Sequence, residues 1–156
     1  MTTLANSNTA TTTDRRPIDV RGPRFGAAVT TVVLALTLLT IPTSLSVALL
    51  AVQTVAFALG SLVGLQAQPY GVFFRRVVRP RLAPPTEFED PAPPRFAQTV
   101  GLGFALVGLI GLLAGATTVA YVAVGFALAA AFLNAVFAYC LGCEVYLLGK
   151  RVLSRP

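Results

Sequence analysis

Four long apolar stretches limit the fold of this chain more than any other feature. They cover residues 25–41, 45–65, 97–115 and 118–139, and the last continues as an apolar segment to residue 149. Each approaches or reaches the ~17 to 25 residues that a helix needs to cross a bilayer. The first three contain no acidic or basic residue. Continuous runs of this kind favour helices over the short alternating strands of a membrane barrel.

The composition excludes an ordinary soluble fold. Of the 156 residues, 55% are apolar and only 12% are charged, whereas roughly 25% of the residues of soluble domains are charged. We therefore predict an all-α integral membrane protein with four transmembrane helices. The first apolar run begins too far from residue 1 for a cleavable signal peptide and leads straight into a second run, so we expect it to be retained.

The placement of the basic residues predicts the topology. Twelve Lys and Arg residues precede the first apolar run, lie between the second and third, or follow the fourth, and none lies in the two opposite turns. Basic residues near helix ends stay on the cytoplasmic side, so both termini and the middle loop are expected there. The residues assigned to the membrane interface are Arg24, Arg75, Arg76, Arg79, Arg95, Lys150 and Arg151. Attraction to anionic lipid explains the basic excess without a nucleic-acid partner.

This topology divides the chain into five parts. They are a cytoplasmic, partly disordered tail (1–24), a first transmembrane hairpin (25–66), a cytoplasmic loop (67–96), a second transmembrane hairpin (97–149) and a cytoplasmic tail (150–156).

The two halves of the sequence resemble each other at a spacing of 71 residues, at which Pro23-Arg24-Phe25 matches Pro94-Arg95-Phe96. Two hairpins that start on the same side of the membrane form parallel repeats. We predict a pseudo-two-fold four-helix bundle in which the glycine pairs 60/64 and 111/115 allow close helix approach. Chance matching within a composition rich in Gly and Ala is the alternative. We interpret the Pro-Arg-Phe triplets as anchors at the start of each hairpin rather than as binding sites.

The middle loop has two parts. Residues 69–81 place aromatic and aliphatic side chains at spacings of three and four, with the arginines on the other side, which predicts a short helix in the membrane interface. The proline-rich strip (82–94) is predicted to be extended. It serves either as a solvated connector or as a docking site for a cytoplasmic protein.

The only candidate chemistry lies in Cys140-Leu141-Gly142-Cys143-Glu144, since the chain has no histidine and no other cysteine. Cysteines three residues apart on a helix share one face, and they form a disulfide or bind a soft metal ion. A cytoplasmic location favours a transient redox role. We assign Cys140 and Cys143 to this chemistry, with Glu144 either as the proton acceptor of the pair or as an interfacial charge paired with an arginine. The alternative is that the sulfurs only pack against a neighbouring helix.

The expected position of this pair partly opposes its reactivity. A fourth helix that enters the bilayer near Thr118 reaches the other side near Tyr139 after about twenty residues. The cysteines then lie toward the C-terminal end of that helix, beside Glu144, and both features raise a thiol pKa. A break at Gly142 would change this geometry.

Several motifs together resemble the family called domain of unknown function 4395. They are the segments 19–25, 79–91 and 94–98 and the cysteine motif 140–144. The resemblance covers most of the chain from Asp19 onward and implies a bacterial inner-membrane protein. It assigns no activity. The frequent neighbourhood of thioredoxin-like and sulfurtransferase genes in that family implies a partner that handles thiols or sulfane sulfur.

Three hypotheses of function follow. In the first, Cys140 and Cys143 carry out thiol–disulfide exchange or relay sulfur. In the second, the repeats form a small transporter or channel for a neutral solute, lined by groups such as Gln53 and Asn134. In the third, the protein is a structural anchor that recruits a partner through residues 87–94. Enzymatic activity and homo-oligomerisation are left open, and no cofactor is predicted beyond the soft-metal alternative.

Overall fold

The computed structural model describes residues 16–154, so Arg15 and Arg155 of the basic set lie outside the described residues. In chain order, its elements are β1 (Ile18–Asp19), α1 (Arg21–Thr40), α2 (Ser44–Ala58), α3 (Pro69–Phe73), β2 (Phe88–Glu89), α4 (Ala92–Leu113), α5 (Thr117–Phe137) and α6 (Leu141–Leu153). A π-helical turn, Leu59–Val63, extends α2 without a break.

The helices α1, extended α2, α4 and α5 are each long and apolar enough to cross a membrane. This confirms the prediction of four such helices. Both α1 and α4 begin four or five residues before the corresponding apolar run, at Arg21 and Ala92. The difference arises because proline is compatible with the first turn of a helix, so each Pro-Arg-Phe triplet lies inside a helix.

The four long helices form a ring in which α1 and α4 each pack against both α2 and α5. The apolar part of the buried core is a cluster of Leu34, Leu50, Phe57, Ala105, Val124 and Ala127. Large apolar side chains point outward as well, and Leu39 and Leu113 are 81% and 70% exposed. An apolar exterior of this kind is stable against lipid and not against water.

Each of the two predicted glycine pairs combines one packing glycine with one turn glycine. A Cβ on Gly60 would lie 3.0 Å from the Gln98 side chain, and one on Gly111 would lie 3.2 Å from the backbone of Ala116 and Ala120. In contrast, Gly64 and Gly115 have positive φ angles of 129° and 75° and end their helices. Close approach therefore depends on one glycine of each pair.

The first part of the middle loop consists of three short helical pieces: α3, a π-helical turn (Phe74–Val78) and a 3-10 turn (Arg79–Arg81). Phe74 is buried and its ring lies 5.7 Å from that of Phe25. This contact fixes the segment against the start of α1.

The proline-rich strip is extended as far as Asp90, Pro91 has helical dihedral angles, and the last three residues of the strip form the first turn of α4. Within it, β2 pairs antiparallel with β1, so that Ile18 lies opposite Glu89. Arg21 forms an ion pair with Asp19 at 2.8 Å and donates a hydrogen bond to the carbonyl of Ala83. These contacts hold the strip across the start of α1. We call this end of the bundle, where α1 and α4 begin and α2 and α5 end, the loop end.

Candidate functional site

The cysteine motif starts a helix, whereas the sequence analysis placed it toward the end of one. The last long helix, α5, stops at Phe137, and Ala138 adopts a left-handed conformation with φ 54°. The chain then enters α6 with Cys140 as the N-terminal cap. The expectation of a cysteine pair toward a helix C-terminus is therefore wrong, and the apolar continuation to residue 149 belongs to a separate helix. The break precedes Gly142 by three to four residues.

Arg24 stabilises this break from the neighbouring helix. Its guanidinium donates hydrogen bonds of 3.1 and 3.2 Å to the carbonyls of Ala135 and Val136. Carbonyls in the last turn of a helix have no partner within the helix, and a cation there also complements the helix dipole. Arg24, expected only to contact lipid headgroups, thus holds the end of α5.

Cys140 and Cys143 are joined by a disulfide. The backbone N–H of Cys143 donates to the sulfur of Cys140 over 3.3 Å, so the sulfur occupies the position of a capping oxygen. In this state both sulfurs are bonded to each other and offer no thiolate to a metal ion. Among residues 16–154, His, Cys, Asp and Glu side chains form no group of three or more that could hold a metal.

The first turn of α6 packs closely on α4. A Cβ on Gly142 would lie 2.6 Å from the Cβ of Ala97 and 2.7 Å from its Cα. One turn later, the rings of Tyr146 and Phe96 lie 5.7 Å apart. These contacts fix the disulfide against the start of α4.

An open cavity of about 580 Å³ lies beside the disulfide at the loop end. Helices α1, α4 and α5, the start of α6 and the proline-rich strip enclose it. Its polar lining consists of Arg21, Arg24, Thr30, Glu87, Glu89, Gln98 and Asn134, together with both cysteines. The deeper walls are apolar and include Phe57, Phe104 and Phe126. A mostly apolar cavity with a few convergent polar groups is typical of a ligand site.

Two carboxyl groups near this end differ in their environments. Burial raises the pKa of Glu89, which lines the cavity, above its ordinary value of 4.5. The hydrogen bonds from Arg21 lower the pKa of Asp19 below 3.8. Relative to an ordinary carboxyl group, folding shifts the proton equilibrium of Glu89 toward the neutral form and that of Asp19 toward the ionised form.

A buried polar network extends from the middle loop toward the centre of the bundle. The hydroxyl of Tyr70 donates to Oε1 of Gln53 over 2.9 Å, and Nε2 of Gln53 donates to Thr30 over 3.3 Å. Gln53 is fully buried, and Thr30 also lines the cavity. The network therefore ends at the wall of the cavity.

The other predicted residues lie at the loop end, but not in the cavity. Arg75 donates to the carbonyls of Leu65 and Gln66 beyond α2, and Arg95 donates to those of Ser61 and Leu62 in its last turn. The remaining predicted residues are exposed, and they are Arg76, Arg79, Glu144, Lys150 and Arg151.

Sequence reasoning missed the cavity and the start of α6. The signal for the helix start was present in its charges, since Glu144 lies in the first turn of α6 and Lys150 and Arg151 lie in the last. That arrangement complements the dipole of a helix that begins at residue 141. The cavity has no comparable signal, because its lining comes from elements far apart in the sequence.

These features define a class of protein: a helical bundle with four helices able to cross a membrane and a disulfide at the start of the shorter helix α6, beside a cavity. The chain belongs to the family named domain of unknown function (DUF4395), whose model matches residues 18–151. This confirms the resemblance found in the sequence. No curated protein and no solved structure matches the chain.

Proposed function

We propose that this protein carries out thiol–disulfide exchange at the cytoplasmic face of a bacterial inner membrane, with Cys140 and Cys143 cycling between dithiol and disulfide. The observation that carries the proposal is the position of the pair. Cys140 caps α6, its sulfur accepts the N–H of Cys143, and both cysteines line an open cavity.

Helix N-termini favour redox chemistry because they stabilise the thiolate, which is the attacking species in exchange. The cysteine pair lies at the start of a helix and not toward the end of one. This position removes the main objection to its reactivity in the sequence analysis. It also defines the roles of the two residues. Cys140, at the cap, is the attacking cysteine, and Cys143 is the resolving cysteine.

The orientation in the membrane is part of the proposal. All basic residues of the described chain lie at the loop end, and the positive-inside rule assigns that end to the cytoplasm. In a reducing compartment a permanent structural disulfide is rare. The pair at this end is then a transient disulfide, which is formed and reduced in each cycle.

Reciprocal arginine contacts support the proposed internal repeat. Arg24 begins the first hairpin and binds the end of α5, which belongs to the second; Arg95 begins the second hairpin and binds the end of α2, which belongs to the first. The two arginines are 71 residues apart. In both halves a shorter helix follows, α3 or α6, and its capping side chain accepts an N–H from the residue three positions later.

The proposed partner is a soluble protein with a reactive thiol of the thioredoxin or sulfurtransferase type. Both cysteines are partly exposed, so a partner's sulfur has access to the disulfide from the loop end. Transfer of sulfane sulfur through the same pair is the related chemistry.

The test is differential alkylation of the protein in native membranes that have been equilibrated with thiol–disulfide buffers, followed by mass spectrometry. We expect the Cys140–Cys143 disulfide to form and disappear reversibly as the buffer changes. We expect Cys143→Ser to trap a mixed disulfide through Cys140, and Cys140→Ser to serve as the matched control that traps none. A pair that stays inaccessible, or never forms a disulfide, would refute the proposal.

The second candidate function is transport of a neutral solute, and the polar network from the cavity to Gln53 favours it. Flux measurements in proteoliposomes distinguish the two candidates. Transport that persists in the Cys140→Ser, Cys143→Ser double variant would assign the cysteines to packing. The hypothesis of a structural anchor predicts instead that function depends on residues 87–94 and not on the cysteines.

A further inference from the structure

A second space adjoins the cavity beside the disulfide. It is a more open groove of about 600 Å³ between α4 and α5, and it extends toward the opposite turn. Its lining is apolar apart from Thr118. Val100, Phe104 and Phe126 line both spaces, so the cavity and the groove adjoin at these side chains.

The combined space has a polar end and a long apolar end. Asn134 and the cysteines lie at one end, and Thr118 lies at the other. Sixteen residues of α5 separate Asn134 from Thr118, which corresponds to about 24 Å at 1.5 Å per residue. The apolar part follows helices that are able to cross a membrane, and it therefore faces hydrocarbon when they do.

This shape fits a ligand with a compact polar head and an extended apolar tail. The head would lie in the cavity, whose lining includes the cysteines, Arg24 and Asn134. Two nitrogen atoms of Arg24 bind α5, and its Nη1 has no acceptor among residues 16–154. The Asn134 amide likewise makes no hydrogen bond within the described chain. Both groups are N–H donors, so they suit a carbonyl oxygen.

We propose that the cavity and groove bind an isoprenoid quinone, whose ring accepts the electrons of the Cys140–Cys143 dithiol. The inference rests on the proposed function and names the electron acceptor of the same site. A quinone suits both parts of the space. The carbonyl oxygens of its ring suit the polar cavity, and its hydrocarbon tail suits the apolar groove. It is also a two-electron carrier, as is a dithiol.

The reaction balances without a further reagent. Both S–H bonds break, one S–S bond forms between Cys140 and Cys143, and the sulfurs are oxidised by two electrons. The quinone takes up these two electrons and the two protons at its carbonyl oxygens and leaves as the hydroquinone. A reduced thiol partner then restores the dithiol by exchange.

The test uses the full chain in quinone-free phosphatidylcholine nanodiscs, reduced and kept anaerobic. The probes are a fully ring-substituted benzoquinone with a decyl tail and the same ring with a methyl group in place of the tail, so that neither ring has a free position to which a thiolate can add. Hydroquinone is measured by its absorbance and the cysteine pair by alkylation mass spectrometry. We expect one hydroquinone for each disulfide formed, and faster oxidation by the tailed probe.

Two glycines provide a matched pair of variants. A side chain on Gly103, which lines the groove, or on Gly125, which does not, would meet no atom within 4 Å of its Cβ. We expect Gly103→Phe to lower the ratio of the tailed to the tailless rate about tenfold or more, since burial of a few methylene groups has this effect. Gly125→Phe should leave the ratio unchanged. Circular dichroism and oxidation by glutathione disulfide establish that each variant is folded.

Each other outcome has a definite meaning. If glutathione disulfide oxidises the pair but the quinones do not, the inference fails while the proposed function stands. If neither oxidant forms the disulfide, both fail. An unchanged rate ratio in Gly103→Phe would mean that the tail does not use the groove. Phospholipid that stays bound to the groove in native mass spectrometry, and that the tailed quinone does not displace, would assign the space to a lipid.

Discussion

The phenolic hydroxyl of Tyr70 lies 2.9 Å from Oε1 of Gln53 and donates a hydrogen bond to it. Tyr70 belongs to the short helix of the middle loop, whereas Gln53 is a fully buried residue near the middle of α2. Through this contact the loop enters the bundle and satisfies a polar group that would otherwise lack a partner. Burial raises the pKa of Tyr70 above 10.0, so its hydroxyl remains protonated and able to donate.

We expect Tyr70→Phe to lower the free energy of unfolding by about 1 to 2 kcal/mol, because it leaves Oε1 of Gln53 buried and without a donor. Tyr139→Phe is the matched control. The Tyr139 side chain is 48% exposed and its hydroxyl makes no hydrogen bond among residues 16–154, so the change should stay within about 0.5 kcal/mol. Equilibrium unfolding in mixed micelles measures both. Equal effects of the two variants would contradict the role assigned to Tyr70.

The contact between Gly142 and Ala97 leads to a second prediction. Gly142→Ala should destabilise the packing of α6 on α4, because the new Cβ would overlap backbone and side-chain atoms of Ala97. Overpacking of this kind costs about 1 to 3 kcal/mol. The melting temperature should fall, and the disulfide should become more accessible to reductant.

Gly149→Ala is the control for that change, because Gly149 lies in the same helix with no atom within 4 Å of an added Cβ. Alanine is favoured over glycine in a helix by about 1 kcal/mol. Gly149→Ala should therefore leave stability unchanged or raise it. If Gly149→Ala lost as much stability as Gly142→Ala, α6 would be sensitive to any substitution. The effect of Gly142→Ala would then give no evidence for close packing of α6 on α4.

The four long helices were predictable because lipid-facing helices carry their signal locally, as continuous apolar residues. The same property concealed the break at Ala138. Residues 138–140 include neither proline nor glycine, and their apolar neighbours continue the pattern of a span. Arg24, more than 100 residues away in the sequence, binds the last carbonyls of α5. A helix end stabilised by such a distant residue has little local signal.

The candidate site was predictable in its residues but not in its geometry. Cys140 and Cys143 stood out as the only cysteines of the chain. Their role, however, depends on whether they lie at the start or at the end of a helix. The end was inferred from the apolar run alone. The pairing of Ile18 with Glu89 across the loop end was not predictable either. Each of the two strands has only two residues, and the pairing depends on the long helices that bring β1 and β2 together.

The raised pKa of Glu89 predicts a specific dependence of stability on pH. Between the ordinary value of 4.5 and the raised value, the folded state binds more protons than the unfolded state. The contribution of Glu89 to stability is fully present below pH 4.5 and is lost as the pH rises through the raised pKa. Glu89→Gln should therefore stabilise the protein at about pH 7 and have little effect at about pH 4.

Asp19→Asn is the opposite case, because the hydrogen bonds from Arg21 lower the pKa of Asp19. Its stabilising contribution is present above the ordinary value of 3.8 and is lost as the pH falls through the lowered value. Asp19→Asn should therefore destabilise the protein at neutral pH. Unfolding curves recorded across this pH range test both variants. Parallel profiles for the two would contradict the environments assigned to these carboxyl groups.

The position of Cys140 at the cap of α6 predicts that the two thiols differ in reactivity. In Cys143→Ser, the remaining sulfur still accepts the backbone N–H of residue 143, and a thiol at a helix N-terminus ionises below the ordinary value of about 8.5. In Cys140→Ser, the remaining thiol lies inside the first turn and has no hydrogen bond of this kind. Iodoacetamide should therefore alkylate Cys140 at about pH 7 at least about threefold faster than Cys143. Rates measured from about pH 5 to pH 10 give the midpoint for each thiol, and coincident midpoints near that of an ordinary thiol would exclude Cys140 as the attacking residue.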